Sequence, residues 1–416
     1  MANIHPFKAI RPTRDKAHLV ASRPIASYKP SILAAKLEEN PFTFIHIIHP
    51  EYFEDETNKT TPNTRERFEK VKNKFNEFCG DGIFTEDEKP CLYVYKQTKD
   101  NHAFLGIIGG ASVEDYKNNT IKKHEATLTS REEMFTNYLE VVGINAEPVL
   151  LSYPSSEMID ELLFSKIKER PEYEFTTTDK VKHELWIIQN EECEAFQTAF
   201  QSIPSLYIAD GHHRSASSVR LSERLNQKFG KKDEANHNHF LSFFIDEKRL
   251  QIYAYNRLVK HLGDKSKEEL LLAFSQDFEV TALSVMQVPQ KLHDIHCFFG
   301  EKWYLLRCKA HIIENTHSAV DSIDAEILTK YILQPHLNIQ DLKTDDNIDF
   351  ISGESGLEKL EQKVCSGKFA VGFALYPVLV EQIKQVADEN AIMPPKSTWV
   401  EPKMRSGLTI YPIHND

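Results

Sequence analysis

The stretch "SLYIADGHHRSASSVRLSERLNQKFG", residues 205–230, constrains the fold of this chain more than any other. A short apolar run ends at Asp210, and Gly211 follows as a turn residue. Beyond the turn, Leu221 and Leu225 fall on one stripe of helical spacing. The pattern predicts a buried strand that passes directly into an amphipathic helix.

This junction gathers an acid, a turn residue, two imidazoles and a guanidinium at Asp210, Gly211, His212, His213 and Arg214. Ligands of open α/β sheets collect at the carboxyl ends of strands, and the N–H groups of a helix start favour an anion. Arg214 offers a planar donor fork for phosphate, and the imidazoles donate, accept or bind metal. Asp210 suits a hydroxyl proton or a divalent cation. The alternative is a helix cap with solvent-facing histidines, but the density of polar groups favours a site.

A second candidate lies in "NNTIKKHEATLTSREE", between a predicted strand and a helix start. Lys123 and His124 are suited to phosphate, Glu125 to general base catalysis, and Thr127 to a hydroxyl contact. The alternative is an ordinary solvated charge run. The segment lacks the HExxH pattern, so a zinc protease is not indicated.

A third candidate is "MPPKSTWVEPKMRSGL", near the C-terminal end of the sequence. Two prolines stiffen the approach to Lys396, Ser397 and Thr398, so that an amine and two hydroxyls are presented on a rigid loop. Such a loop suits an anion. The alternative is a proline-rich surface tail.

The charge balance limits the classes of partner. The formal net charge of −12 argues against general affinity for nucleic acid or for anionic lipid, because both repel an acidic surface. The six cysteines are scattered without a CxxC pair, which favours reduced thiols over a zinc site or disulfides. The N-terminal residues lack the apolar core of a signal peptide, and no apolar stretch of about 18 residues is present. We therefore expect a cytoplasmic protein without a membrane partner.

With 416 residues, the chain is long enough for two or three domains. Strand and helix patterns mix throughout, so the fold class is α/β or mixed α+β. "TRERFEKVKNKFNEFCG" predicts a helix, and Ser130 with Glu133 predicts a capping box at the start of another. We expect an N-terminal α+β region at 1–155, a core with the DGHHR sequence at 156–275, and a C-terminal α+β region at 276–416.

Several pieces in order along the chain resemble a widespread prokaryotic family of unknown function, DUF1015. They run from residue 7 to residue 408 and include "FKAIRP", "IKKHEATLTSRE", "YIADGHHRSASS" and "IMPPKSTWVEPKMRSGL". One departure is "SRPIASY", where family members commonly read something like PPYDV, and it leaves the roles of Arg23 and Tyr28 open. The DGHHR element is also similar to the signature of the ParB/sulfiredoxin superfamily, which includes free-serine kinases.

These resemblances imply a ParB/sulfiredoxin-like core and phosphoryl transfer to a small hydroxyl-bearing metabolite such as free serine. They imply a nucleotide, ATP or ADP, with Mg²⁺. Asp210 matches the acid of the motif, and His212, His213 and Arg214 match its phosphate-contacting positions, His212 also being a catalytic candidate. Glu125 is our candidate for the additional catalytic glutamate of the serine kinases.

Two other functions stay open at this point. A nucleotide-binding switch of the ParB type would bind nucleotide without phosphorylating a metabolite. A metal-dependent phosphatase would use Asp210, His212 and His213 as ligands, and a tightly held transition metal would distinguish it. The kinase interpretation needs no resident transition metal, and the sequence does not indicate an oligomeric state.

Overall fold

The computed structural model describes residues 1–232 and 235–414 and has the predicted mixed α/β class. Its strands are, in chain order, β1 (Ile4–His5), β2 (Ile10–Pro12), β3 (Phe84–Glu86), β4 (Leu92–Lys99), β5 (His102–Ser112), β6 (Ile121–Lys122), β7 (Ile144–Asn145), β8 (Val149–Tyr153), β9 (Tyr173–Thr176), β10 (Lys182–Ile188), β11 (Leu206–Asp210), β12 (His239–Asp246), β13 (Gln251–Val259), β14 (Phe278–Leu283), β15 (Asp294–Phe299), β16 (Lys302–Cys308), β17 (Ile348–Ser352), β18 (Val371–Ala374), β19 (Thr398–Glu401) and β20 (Tyr411–Pro412).

The α-helices are α1 (Ala17–Val20), α2 (Pro30–Glu39), α3 (Ile45–Ile48), α4 (Arg65–Gly80), α5 (Val113–Lys117), α6 (Thr129–Val142), α7 (Glu157–Lys166), α8 (Glu191–Phe200), α9 (His212–Phe229), α10 (Lys267–Phe274), α11 (Ala310–Glu314), α12 (Asp324–Leu328), α13 (Gln334–Leu337), α14 (Leu357–Cys365) and α15 (Val380–Asp388). Over the described residues, no helix combines the length and the apolar composition that crossing a membrane requires.

The chain divides into two compact units, each built from segments that are distant in sequence. Unit 1 contains Met1–Lys122, Thr127–Leu250 and Pro402–Asp416, and unit 2 contains Lys123–Ala126 and Gln251–Glu401. This division differs from the three consecutive regions expected from the sequence. The reason is strand pairing, since β8, before the expected boundary at residue 155, pairs with both β11 and β12 beyond it.

Unit 1 is organised by a mixed sheet with the strand order β6-β11-β8-β12-β5-β4-β10-β9, to which β1 adds at β5. β4 and β5 form an antiparallel hairpin, whereas β8 and β12 are parallel. On one face, α7 and α8 cover the sheet with Ile159, Leu163, Phe196 and Phe200, which are all buried. β6 pairs only with Leu206 and Tyr207 at the start of β11, so the end of β11 at Asp210 pairs with β8 alone.

The helix predicted from "TRERFEKVKNKFNEFCG" is confirmed as α4, in unit 1. Its Phe68, Val71, Phe75 and Phe78 are buried in one apolar cluster. Thr64 caps its start, because its side chain accepts a hydrogen bond from the backbone N–H of Arg67. Four apolar residues on one stripe bury enough surface to fix this helix, at roughly 2 kcal/mol for each fully buried side chain.

The predicted capping box of α6 is wrong. This helix begins at Thr129, its N-cap residue is Leu128, and no side chain caps it. Ser130 therefore lies inside the first turn. Glu133 is instead drawn to the neighbouring helix α9, where its carboxylate lies 2.6 Å from the guanidinium of Arg224. A cross-helix ion pair has displaced the local cap that the sequence pattern favours.

Unit 2 contains a sheet of order β14-β16-β15-β18-β13-β17, with β19 added to the first half of β13. Its core includes Val259, Leu333, Phe373 and Ile383, all buried. β12 and β13 follow each other along the chain on either side of a short turn at Glu247–Arg249. These two strands do not pair with each other, because β12 pairs with β5 and β8 whereas β13 pairs with β17, β18 and β19.

Candidate functional site

The turn between β11 and α9 requires glycine at Gly211. Its φ of 104° and ψ of 27° lie in the left-handed region that L side chains rarely adopt. A Cβ atom at this position would also approach the Cζ atom of Arg214 to 3.1 Å. The helix closes at once, since the N–H of Ser215 donates to the carbonyl of Gly211 at 3.0 Å. The predicted strand-to-helix junction is thus confirmed.

Asp210 ends β11 at this turn, and its carboxylate lies between two cations. Its Oδ2 atom is 3.5 Å from Nη2 of Arg214 and 3.6 Å from Nζ of Lys403. Burial by itself raises the pKa of Asp210, but the charges of Lys403 and Arg214 outweigh burial and lower this pKa below its usual value. The group is a carboxylate at neutral pH, and 39% of its side chain is exposed, so a ligand can reach it.

Arg214 folds back over the turn instead of extending from the helix. Its Nη1 lies 3.2 Å from a carboxylate oxygen of Glu147 and donates to the carbonyls of Glu147, at 3.3 Å, and of Pro148. The guanidinium therefore ties the segment before β8 to the first turn of α9. Its predicted contact with phosphate stays a prediction, and it requires Arg214 to keep these partners or to exchange one of them.

The two histidines of the junction differ in burial. His212 is 4% exposed and its charge acts on Asp210, whereas His213 is half-buried. Behind them, Ser217 and Ser218 return their hydroxyls to carbonyls of the same helix, at 2.7 and 2.9 Å. Small side chains at these positions let α9 approach its neighbours closely, and the hydroxyl of Thr136 on α6 accordingly lies 3.3 Å from the carbonyl of Ser217. His212 is thus held beside Asp210 by a tightly packed helix start.

Thr127, a predicted phosphate contact, also lies in unit 1 and is part of the start of α6. Its hydroxyl donates to Oε1 of Glu132. The other carboxylate oxygen of Glu132 lies 3.4 Å from Arg220 of α9. Thr127 therefore belongs to a polar chain that joins α6 and α9, and its contact with a ligand stays a prediction.

In unit 2, the structure brings the second and third candidate segments together. The backbone N–H of Met393 donates to the carbonyl of His124 at 2.9 Å, so residues 123–126 lie against the approach to Lys396. His124 is fully buried and Lys123 is half-buried. The sequence spacing between these segments gave no sign of this contact, and the catalytic role of Glu125 stays a prediction.

The MPPKST loop has two residues with structural tasks. Ser397 is 3% exposed and closes the turn, because its hydroxyl donates to the carbonyl of Pro394 at 2.7 Å. Thr398 begins β19 and is the partner of Ala254 in β13. Lys396 differs, since it adopts a left-handed φ of 57° and its Nζ lies 5.5 Å from the ring centroid of Tyr255. Among the three predicted residues of this loop, Lys396 is the one whose cationic group is presented on a strained turn.

Arg257 on β13 was missed by the sequence reasoning. Its side chain is fully buried; Nη2 lies 3.5 Å from the carbonyl of Pro395, Nη1 donates to the carbonyl of Tyr255, and Cζ lies 5.3 Å from the ring centroid of Phe350. Burial lowers the pKa of Arg257 to about 9, which leaves it charged at neutral pH. Within the described residues it has no carboxylate partner. A charged residue inside the apolar strand "QIYAYNRLV" was the available signal.

Comparison with models of known families shows which family the chain belongs to. Residues 4–326 match the family described as "Protein of unknown function (DUF1015)". The chain belongs to this family. The resemblance inferred from the DGHHR and MPPKST pieces is therefore confirmed at the level of the family. No curated protein matches this DUF1015 chain significantly.

Solved structures give distant matches to the DUF1015 chain. A mutant of a free serine kinase in complex with AMP has 14% identity and a TM-score of 0.36, with 73% of this chain and 92% of that chain covered. SbnI with a C-terminal truncation, from Staphylococcus aureus, has 11% identity and a TM-score of 0.39, with 74% and 87% covered. A conserved hypothetical protein from Pyrococcus furiosus has 14% identity and a TM-score of 0.32, with 75% and 97% covered. These values are too low to carry an argument about function.

In this DUF1015 protein, the predicted residues fall into two groups. Unit 1 brings Asp210, His212 and Arg214 together and adds Lys403, which the sequence reasoning had noted only as part of the third segment. Unit 2 brings His124 close to the loop of Lys396. The signal for Lys403 was its place in the motif that resembles the family, two residues before Arg405. Its pairing with Asp210 depends on tertiary structure.

Proposed function

We propose that the protein is a small-molecule phosphotransferase that works at the junction of β11 and α9, with phosphate bound at the start of α9. The observation that carries this proposal is the ionised, partly exposed carboxylate of Asp210, held beside Lys403 at the N-terminal end of a long helix. Phosphoryl transfer depends chiefly on positioning and on neutralising charge. Both requirements are met by groups at this one turn.

The start of α9 supplies the attraction for phosphate. The first N–H groups of a helix have no partner within the helix, and the helix dipole favours an anion there by about 0.3–1 kcal/mol, or more where water is partly excluded. The left-handed Gly211 lets the backbone turn without a side chain between a ligand and these N–H groups. Lys403 adds positive charge at the same place, and His212 places an imidazole beside it.

Asp210 is assigned to the acceptor. Its lowered pKa keeps it a carboxylate over the physiological range, so it orients an acceptor hydroxyl and accepts its proton. The new O–P bond forms as the bond between the transferred phosphorus and the bridging oxygen of the donor breaks, and the shortened nucleotide leaves. We assign the acceptor as the hydroxyl of a small metabolite such as free serine. The donor is a nucleoside di- or triphosphate.

A nucleotide donor is accompanied by Mg²⁺, which is commonly held by one or two carboxylates together with the phosphates. Asp210 fits this role, because Oδ2 faces Lys403 and Arg214 and the second carboxylate oxygen is available to a cation. The bound metal supplies neutralisation of the phosphoryl charge. Orientation of the acceptor remains the task of Asp210.

The test is transfer of phosphate, followed by ³¹P NMR, from ATP or ADP to serine and to related hydroxyl compounds. We expect Asp210→Asn to reduce transfer by at least about 10²-fold, the range for loss of a positioned base. Asp246→Asn is the control, since Asp246 ends β12 in the same sheet and caps the following turn by accepting from the N–H of Lys248 at 2.8 Å. Full activity in the Asp210 variant rejects the proposal.

A further inference from the structure

A second charged group in unit 1 is built around Arg405 and has no assigned task. Arg405 is buried, with 5% of its side chain exposed, and its Nη2 lies 2.7 Å from Oδ2 of Asp179. Its Nε–H is enclosed and has no acceptor among the described residues. An enclosed guanidinium donor without an acceptor indicates a missing partner, because buried polar groups are nearly always hydrogen-bonded.

Arg23 is the second cation of this group. Its Nη1 lies 3.7 Å from the same Oδ2 of Asp179. Tyr28 fixes its position, since the guanidinium carbon is 4.5 Å from the ring centroid of Tyr28, whose hydroxyl accepts the backbone N–H of Arg23 at 3.0 Å. The segment "SRPIASY" thus delivers Arg23 to Asp179.

Lys36, on α2, is the third cation. It is half-buried, and in the described part of the chain no carboxylate lies within ion-pairing distance of its amine. Burial, and then the positive charges of Arg405 and Arg23, lower the pKa of Lys36, which places its amine in the field of both guanidinium groups. Two guanidinium groups thus pair with one carboxylate, and the amine of Lys36 adds a third positive charge in their field.

The groups behind Asp179 do not supply the missing negative charge. Burial raises the pKa of Asp179, but Arg405 and Arg23 lower it to about 2, so it contributes a single charge. The next group, His183, is neutral, because burial lowers its pKa to about 3. It lies between the hydroxyls of Tyr95, at 2.7 Å, and of Thr177, at 3.3 Å. Arg23, Lys36 and Arg405 therefore carry more positive charge than Asp179 neutralises, although the net charge of the chain is −12.

We infer that Arg23, Lys36 and Arg405 form a binding site for the oxyanion of a small molecule, either a carboxylate or a phosphate. A guanidinium group and a nearby amine are the groups that bind such anions. The Nε–H of Arg405 is the donor that has no acceptor among the described residues. Partial exposure of Arg23 and Asp179, 28% and 26%, gives a ligand access.

The segment that carries Arg405 to Asp179 also carries Lys403, the partner of Asp210. Arg405 follows Lys403, the partner of Asp210, by two residues, and two residues of extended chain span at most about 7 Å. We assign the phosphate acceptor to the class of small hydroxy acids whose carboxylate binds at this site. In naming the phosphate acceptor this step rests on the proposed function, whereas the anion site does not.

The test is binding, measured by calorimetry without nucleotide. The probes are L-serine, serinol, which has the same hydroxyl and amine but no carboxylate, and inorganic phosphate. We expect native protein to bind serine and not serinol, and Lys36→Met to weaken binding about tenfold or more, which corresponds to one charge-assisted hydrogen bond. The control is Lys29→Met, at an exposed lysine that precedes the same helix.

Binding of phosphate but not of serine, weakened in the same way by Lys36→Met, supports the site and identifies its ligand group as a phosphate. Equal anion binding by native protein, Lys36→Met and Arg23→Met, or binding of neither anion to native protein, overturns the inference. Because binding is measured without nucleotide, the two proposals fail separately. Anion binding through Lys36 with no phosphoryl transfer rejects only the proposed function, and transfer with unchanged anion binding in Lys36→Met rejects only this site.

Discussion

Replacement of Gly211 by alanine separates the two reasons for which the turn before α9 requires glycine. The first is backbone strain at a φ of 104°, which costs an L residue about 1–2 kcal/mol. The second is crowding, because the new Cβ would lie 3.1 Å from Cζ and 3.2 Å from Nε of Arg214. To make room, the guanidinium of Arg214 must leave its carbonyl and carboxylate partners at Glu147 and Pro148. The loss of these hydrogen bonds costs about 1–3 kcal/mol of folding free energy. We expect Gly211→Ala to lower the free energy of unfolding by about 3 kcal/mol.

Gly82 provides the matched control. It lies in the same unit with a φ of 71°, and nothing lies within 4 Å of a Cβ built on it. Gly82→Ala therefore suffers strain alone, at about 1 kcal/mol. Urea unfolding followed by circular dichroism gives both losses relative to native protein, and we expect the Gly211 variant to lose about 2 kcal/mol more.

Equal losses in the two alanine variants would refute the crowding argument. A double-mutant cycle sharpens the result, because Arg214→Ala removes the group that the Cβ atom meets. In that background, Gly211→Ala should cost no more than Gly82→Ala does. If the extra loss persists without the guanidinium, the strain at the turn has been underestimated and Arg214 is not its cause.

The junction of β11 and α9 could be predicted because everything that forms it is local. An apolar run, a glycine at the turn and a helical stripe occupy consecutive positions, and a local helical stripe likewise predicted α4. Partners that arise across the chain could not be predicted. The partner of Asp210 is Lys403, and that of Asp179 is Arg405, which lie roughly two hundred residues further on.

The organisation into units was hidden from the sequence for a related physical reason. Composition and turn signals mark where a segment ends, but they do not show which distant strands share a sheet. Residues 123–126 belong to unit 2 although unit 1 precedes and follows them, and the chain returns to unit 1 at Pro402. The direction of Arg214 was equally hidden, because the carbonyls of Glu147 and Pro148 that hold it lie in an irregular segment whose backbone groups need partners.

Two further predictions concern ion pairs of unit 1. The pKa of Asp179 is lowered in the folded protein from its ordinary 3.8 to about 2. Its ion pairs therefore stabilise the fold above pH 4, and this contribution is lost as the pH falls through 2. The unfolding free energy of native protein should thus exceed that of Asp179→Asn by about 2 kcal/mol more at pH 5 than at pH 2, whereas a constant difference would show that the pairs do not depend on its charge. Glu51, with 1% of its side chain exposed, pairs with Arg67 and Lys70 and accepts the N–H and hydroxyl of Thr60, so Glu51→Gln leaves two cations without their shared carboxylate. We expect a loss of about 3 kcal/mol in urea unfolding, against less than about 0.5 kcal/mol for Glu69→Gln in the exposed pair with Arg65. Similar losses for the two variants would refute the claim that burial makes the ion pairs of Glu51 more stabilising than an exposed pair.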